Sequence, residues 1–200
     1  MTAPALVAGP AGQEQLRPVM RLVRRIEALI DAVGQATFWI ALVMICLVAV
    51  NVLLRYSMSL GSVWAQELEW HLLAALILFG MSYAMQRGDN VRVDVFYAGY
   101  SARTKFAVDV LSGLLTIAVA VLFFKLSLAY VGQAWAIGER SPDPGGIPYR
   151  WAVKSLIPIG FGLLTLQSVG ALLRLLVSAR PQAPAPVSAP VGAGEEASGV

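Results

Sequence analysis

Four long apolar runs constrain the fold of this chain more than any other feature of its sequence. They cover residues 34–54, 68–85, 106–131 and 151–177, and the first of them carries no charged residue. A membrane-spanning helix needs about 20 residues, so each run is long enough or nearly so. Helices and closed barrels alone satisfy their backbone in lipid, and these runs lack the alternation of barrel strands. The sequence therefore predicts an all-α integral membrane protein with four transmembrane helices.

The composition agrees with a membrane protein and excludes several other classes. Of the 200 residues, 58% are hydrophobic and 14% are charged, whereas about a quarter of a soluble domain is charged. Cys46 is the only cysteine and His71 the only histidine, which excludes an intramolecular disulfide, two-histidine haem ligation and a two-histidine zinc motif. The sequence shows no Ser–His–Asp set and no phosphate-binding glycine loop. We therefore expect neither an enzyme nor a bound cofactor or metal.

The distribution of lysine and arginine predicts that both termini are cytoplasmic. Ten of these residues fall on one side of the predicted spans and four on the other, and cytoplasmic segments carry the excess. The ten are Arg17, Arg21, Arg24, Arg25, Arg87, Arg92, Arg103, Lys105, Arg174 and Arg180, and the four are Arg55, Arg140, Arg150 and Lys154. The interfacial tryptophans agree, because Trp64, Trp70, Trp135 and Trp151 all fall on the outer side.

The chain divides into a membrane domain, residues 17–177, and two tails. The tails, residues 1–16 and 178–200, are expected to be disordered, since the second is rich in Ala, Pro and Gly and neither can form a core. Residues 18–33 space their apolar side chains as in an amphipathic helix. We expect this helix to lie flat on the inner leaflet or to pack on a partner. The alternative is a continuous extension of the first span.

Three ionisable residues, Glu67, Glu69 and His71, open the second apolar run. On a helix Glu67 and His71 share a face, whereas Glu69 points about 200° away from Glu67. Either the three stay solvated in the headgroup zone, or at least one contacts another helix or subunit. We favour the contact, because Trp64 and Trp70 bracket the cluster at the outer interface.

Lys125 stands out in the third apolar run. It precedes Tyr130 by five residues, which places it about 8 Å below that end of the helix. Its stem could snorkel over much of that depth, or its ammonium could pair with Glu67 or Glu69 at the same outer level. Asp109 is expected to be a helix-start charge.

The loop after the second run, "RGDNVRVD", contains the candidate residues Arg87, Asn90, Arg92 and Asp94. Its glycine predicts the end of a helix, and the alternating valines predict a short extended segment with one side pressed against protein. In the last run, Pro158 with Gly160 and Gly162 predicts a kink or a close-packing face.

Three segments resemble one known family, the small permease subunit of TRAP (tripartite ATP-independent periplasmic) transporters, the DctQ-like family. They are "QELEWHLLAALILFGMSYAMQRGDNVRVDVFY", "GERSPDPGGIPYRW" and "KSLIPIGFGLLTLQS", and the resemblance covers about residues 24–177. The chain departs from the family pattern at Asn90, where many members have histidine. The motifs "ELEWH" and "SPDPGG" resemble the branch associated with mannitol or chloroaromatic compounds, although 2-oxo acids fit equally well.

The resemblance implies a multi-pass protein of the bacterial inner membrane with two protein partners. These are a large DctM-like permease subunit and a periplasmic binding protein that delivers the solute, usually a carboxylate, for sodium-driven uptake. The small subunit would serve as a scaffold. The competing hypothesis is a self-contained four-helix proton-coupled transporter. It is disfavoured because proteins of that kind carry an essential glutamate within the first span, and residues 34–54 contain no acidic residue.

Overall fold

The computed structural model describes residues 10–59, 61–88, 97 and 99–179, with side chains described from residue 17 onward. Over these residues the chain forms five helices: α1 (Pro10–Met58), α2 (Val63–Arg87), α3 (Ala102–Ala136), α4 (Arg150–Lys154) and α5 (Leu156–Ser178). Asn90, Arg92, Asp94 and the predicted extended segment lie outside the described residues, as does most of both predicted tails.

Four helical regions are long and apolar enough to cross a membrane, which confirms the predicted all-α, four-span architecture. They are Arg17–Met58, Val63–Arg87, Ala102–Ala136 and Arg150–Ser178. The four helices alternate in direction, so one end of the bundle carries Trp64, Trp70, Trp135 and Trp151 and the other carries Arg87, Arg103 and Arg174. These two ends are called the tryptophan end and the arginine end below.

Helix α5 is the centre of the bundle, because it packs against α1, α2 and α3. In its most apolar stretch 28% of the residues are buried within the chain, against 6% in the corresponding stretches of α1 and α3. The other main contact joins α1 to α2, and α3 is held chiefly by α5. Consequently α1 and α3 expose long apolar faces, as helices that contact lipid or another membrane protein do.

Small residues let the helices approach one another. A Cβ atom placed on Gly160 of α5 would lie 2.7 Å from the Cβ of Leu78 and 3.0 Å from its backbone oxygen, so only glycine fits there. The side of α3 that packs on α5 is likewise made of small residues, with Ala120, Ser127 and Ala134 buried. Membrane helices associate by close packing of this kind, since lipid tails are as apolar as their side chains.

The ends of α2 and α3 are set by local hydrogen bonds. The Ser62 side chain accepts the backbone N–H of Ala65, and the Ser101 side chain accepts that of Thr104. At the other end of α2, Gly88 adopts a left-handed conformation with φ 76° and donates its N–H to the carbonyls of Ala84 and Met85. The predicted helix end at this glycine is therefore confirmed.

Proline 158 accounts for the break between α4 and α5. A proline has no N–H to donate to the carbonyl four residues earlier, and its ring clashes with that carbonyl, which here belongs to Lys154. The helix accordingly stops at Lys154, turns at Ser155 and restarts at Leu156. Pro158 itself is buried. The sequence predicted a kink or a close-packing face; the structure has a break in the helix at Ser155 and a close-packing face at Gly160.

The amphipathic segment of α1 is continuous with the first span, so the separate flat helix expected for residues 18–33 is not present. Part of its apolar face is buried inside the chain instead: Val23 and Ile30 have no exposed surface and Ile26 lies against Gly170 of α5, whereas Leu22 and Leu29 are about half exposed. The helix also begins earlier than predicted, at Pro10 inside the expected tail. The physical reason is that α2 and α5 offer an apolar surface that covers this face.

We predict that replacing Gly160→Ala destabilises the bundle, because the new methyl group overlaps Leu78. Overpacking of this kind costs about 1–3 kcal/mol, which exceeds the gain of roughly 1 kcal/mol from removing a helical glycine. The matched control is Gly80→Ala in α2, where the added Cβ meets nothing within 4 Å. In thermal unfolding of the purified protein in detergent, the midpoint temperature should fall for Gly160→Ala and should not fall for Gly80→Ala. Equal midpoints would contradict the assigned close contact.

Candidate functional site

The connection between α3 and α4 folds over the first turns of α2, where one carboxylate fastens it. Glu67 has only 7% of its surface exposed. Its Oε1 accepts from the hydroxyl of Ser141 and its Oε2 from the backbone N–H of Ile147. The four residues Glu67, Ser141, Gly146 and Ile147 are called the Glu67 clasp below.

Glycine 146 allows the loop to come this close to Glu67. A Cβ at this position would lie 2.8 Å from Glu67 Oε2 and would also overlap the side chain of Ser141. The preceding residue, Gly145, has φ 82°, a conformation that residues with a Cβ rarely adopt. Gly145 therefore supplies the backbone conformation that the loop needs, and Gly146 leaves room for the carboxylate of Glu67.

A second set of contacts holds the base of the same loop. Glu139 forms an ion pair with Lys154, and the two side chains are three-quarters buried or more, at 25% and 17% exposed. The ammonium of Lys154 also lies 3.9 Å from the centre of the Tyr130 ring. Beside them the rings of Trp135 and Trp151 meet edge to face with centroids 4.4 Å apart. These contacts join the last turns of α3 to α4.

Glu69 and His71 make contacts of their own within α1 and α2. Glu69 Oε1 accepts from the side-chain amide of Asn51 at 3.1 Å, which ties the start of α2 to the last turns of α1. The Nδ1 of His71 donates to the backbone carbonyl of Glu67. Because Glu67 and Glu69 point to different sides of α2, one fastens the loop and the other fastens α1.

The arginine end is held by exposed ion pairs. Asp31 of α1 pairs with Arg87 at 3.1 Å, and Glu27 pairs with Arg174 of α5. The guanidinium of Arg87 also lies 5.0 Å from the centre of the Tyr83 ring. Exposed pairs contribute about 0–1 kcal/mol each. They join α1, around Glu27 and Asp31, to α2 and α5 with little gain in stability.

Asp109 is the eighth residue of α3, two turns into the helix, so it is not the helix-start charge that the sequence predicted, and it has a specific partner there. Its Oδ2 accepts from the hydroxyl of Tyr97 at 2.8 Å. This contact links the chain that precedes α3 to the body of that helix. The sequence alone did not indicate that Tyr97 would be the partner of Asp109.

Lys125 is exposed on α3 and is not brought near Glu67 or Glu69. The ion pairs in the described part of the chain involve other residues, and the carboxylates of Glu67 and Glu69 are occupied by the loop and by Asn51. The predicted pairing is absent from the described residues because α3 is held chiefly by α5 rather than by α2, and Lys125 is exposed. Of the two sequence-based options, this leaves snorkelling or a partner outside the described residues.

The polar groups at this site are arranged for shape rather than for chemistry. Glu67 is the one ionisable side chain among the buried polar residues of the described helices, and donors occupy both of its oxygens. Within the described residues no group of three or more His, Cys, Asp or Glu side chains could hold a metal ion. The clasp therefore presents an ordered loop, residues 137–149, at the tryptophan end.

The sequence analysis identified the carboxylate of the clasp but not the loop groups that donate hydrogen bonds to it. It singled out Glu67 and Glu69 and assigned no contact to Asn51, Ser141 or Glu139, while Lys154 entered it only as a charged residue. One signal was available: the adjacent glycines at 145 and 146 in a proline-rich loop indicate a close backbone approach.

We predict that Glu67→Ala frees the loop, because it leaves the backbone N–H of Ile147 without its acceptor. A hydrogen bond to a charged group contributes about 1.5–3 kcal/mol, so the hydrogen-exchange protection of the Ile147 amide should fall by at least about ten-fold. Glu69→Ala is the matched control, since it removes a carboxylate two residues away that contacts α1. Unchanged protection in Glu67→Ala would disprove the clasp.

Comparison with known proteins identifies a family whose model covers the residues of this site. A family model described as "Tripartite ATP-independent periplasmic transporters, DctQ component" matches residues 44–178, more than half of the chain. A search of the curated proteins finds no match. The matched region runs from the middle of α1 to the end of α5 and contains Glu67, Glu69 and the whole 137–149 loop. The resemblance inferred from the sequence is thus confirmed, and the chain belongs to the DctQ family, the small permease subunits of TRAP transporters.

Proposed function

We propose that this chain is a non-catalytic scaffold that supports the large permease subunit of a TRAP transporter in the bacterial inner membrane. The transporter takes up a carboxylate solute, delivered by a periplasmic binding protein, and a sodium gradient drives the uptake. Family membership supports the assembly with a large subunit and a binding protein.

One observation in particular supports a scaffold rather than a conducting role. The buried polar side chains of the described helices are Thr37, Glu67, Ser82, Ser127, Gln167 and Ser168. Glu67 is the ionisable member of this set, and it lies at the tryptophan end. A protein that carries ions or protons by itself needs ionisable groups deep in its bundle. The described helices bury no ionisable group at that depth, which disfavours a self-contained proton-coupled transporter.

The exposed faces of the bundle support the same proposal. Apolar side chains on the outside of α1 include Phe38, Trp39, Ile45 and Leu53, each more than 60% exposed. A four-helix bundle whose first and third helices are so open has room for a neighbouring membrane protein on either side. The clasped loop at the tryptophan end offers the binding protein an ordered surface.

We predict that the tagged chain co-purifies with a larger multi-span protein in mild detergent, and that the complex takes up a carboxylate only with an inward sodium gradient and the binding protein. The double variant Glu67→Ala, Glu69→Ala should lower uptake or complex yield several-fold, because it releases both the loop and the end of α1. Reconstituted vesicles and a panel of labelled carboxylates provide the measurement. Proton-driven transport by this chain alone would contradict the scaffold role.

We also predict that the tryptophan end faces the periplasm and the arginine end the cytoplasm. In a Cys46→Ser background, Asp143→Cys in the loop should react with a membrane-impermeant maleimide in intact spheroplasts. Ala179→Cys after α5 should react only after the membrane is opened. Asp143 and Ala179 are both exposed, so accessibility within the protein does not bias the comparison. The reverse labelling pattern would overturn the orientation.

A further inference from the structure

Lys125 lies near the middle of the bundle, as contacts between neighbouring helices indicate. The ring of Phe123 stacks on Phe161 with centroids 5.0 Å apart, and the ring of Phe124 lies 3.4 Å from a Cβ placed on Gly162. Lys125 is therefore level, within about one helical turn, with Gly160 of α5. Gly160 in turn contacts Leu78 of α2.

The level of Leu78 is midway between the two polar rims of α2. Glu69, tied to Asn51, marks the tryptophan end, and Arg87, paired with Asp31, marks the arginine end. Leu78 is nine residues from each, or about 14 Å at 1.5 Å per residue. A lysine stem extends on the order of 6 Å, given bond lengths of about 1.5 Å. With its stem fully extended towards either end, the ammonium therefore stays about 7 Å short of the level of Glu69 or of Arg87.

Lys125 also faces away from its own bundle. The buried line of α3 consists of Ala120, Ser127 and Ala134, and at 100° per residue Lys125 is turned about 140° from the first and about 160° from the second. Leu122 and Leu128, one turn away on either side, are apolar and about half exposed, and Leu111 and Leu114 continue the same face further along α3. Lys125 itself is exposed, and no ion pair within the described residues includes it.

A single cation on an apolar face at this depth needs an anionic partner, because an isolated charge at the centre of a bilayer is strongly disfavoured. A second copy of this chain does not supply one. In a parallel two-fold pair through α3, Lys125 would face Lys125 at the same level. The carboxylates in the described helices from residue 17 onward lie towards the two ends of the bundle, at Glu27, Asp31, Glu67, Glu69 and Asp109, so none would meet it.

We propose that the Lys125 face of α3 binds a transmembrane helix of the large permease subunit, and that this helix carries an Asp or Glu at mid-depth that pairs with Lys125. This inference rests on the proposed function, which supplies the second membrane protein. The leucines around Lys125 provide the apolar contact. The ion pair fixes the depth at which the two subunits meet, since any sliding along the helix axis separates the charges.

The test compares Lys125→Met, Lys125→Arg and the wild type for affinity to the purified large subunit in lipid nanodiscs. Loss of one partner of a buried charge pair should weaken binding roughly thirty-fold for Lys125→Met, whereas Lys125→Arg keeps the charge and should bind nearly as well as the wild type. Leu128→Met, one turn along the same face, is the matched control and should bind like the wild type. The isolated Lys125→Met chain should unfold at the same temperature as the wild type or higher, because no contact within the chain is lost.

Three outcomes distinguish the possibilities. If Lys125→Met binds as tightly as the wild type, the lysine is satisfied by lipid phosphate or water and the inference is wrong. If the isolated Lys125→Met chain is less stable, the lysine has a structural role within its own bundle and the inference is also wrong. If the wild-type chain binds no large subunit at all, the proposed function fails first and the inference fails with it.

Discussion

The close approach of α5 to α2 at Gly160 is the contact on which the rest of the bundle depends. In a membrane the apolar side chains gain nothing by leaving lipid for protein, so helices stay together through fitted surfaces rather than through exclusion of water. Glycine at position 160 allows the backbone of α5 to lie against Leu78, and α5 is also the helix that α1 and α3 pack on. A side chain at Gly160 would push α5 outward and loosen three helix contacts at once.

The two ends of the bundle are fastened by different physical means. At the tryptophan end a buried carboxylate accepts two donors from the loop, and a mostly buried ion pair holds the loop's base. At the arginine end the pairs Asp31–Arg87 and Glu27–Arg174 are more exposed to solvent, and salt screens such pairs. The loop of residues 137–149 is therefore held more firmly than α1 is at Glu27 and Asp31.

Periodicity and charge in the sequence predicted the spans, the end of α2 at Gly88 and the irregularity around Pro158, because each depends on residues close together in the chain. The donors to Glu67 could not be predicted, since Ser141 and Ile147 come within reach only once α3 has crossed the bundle. The course of α1 was mispredicted for the same reason: the apolar side chains of Val23 and Ile30 suit a lipid surface or a protein groove equally, and only the position of α5 decides. The third span was predicted to end at residue 131, whereas its helix continues to Ala136, where the proline-rich loop begins.

The uninterrupted course of α1 has a mechanical consequence. At 49 residues it is about 73 Å long, more than twice the hydrocarbon thickness of a bilayer. Asp31, near its middle, is attached to Arg87, and Asn51, towards its C-terminal end, is attached to Glu69, so both attachments are to the same helix, α2. Two attachments 20 residues apart, about 30 Å along the axis, fix the angle between the two helices, so α1 and α2 tilt together rather than separately.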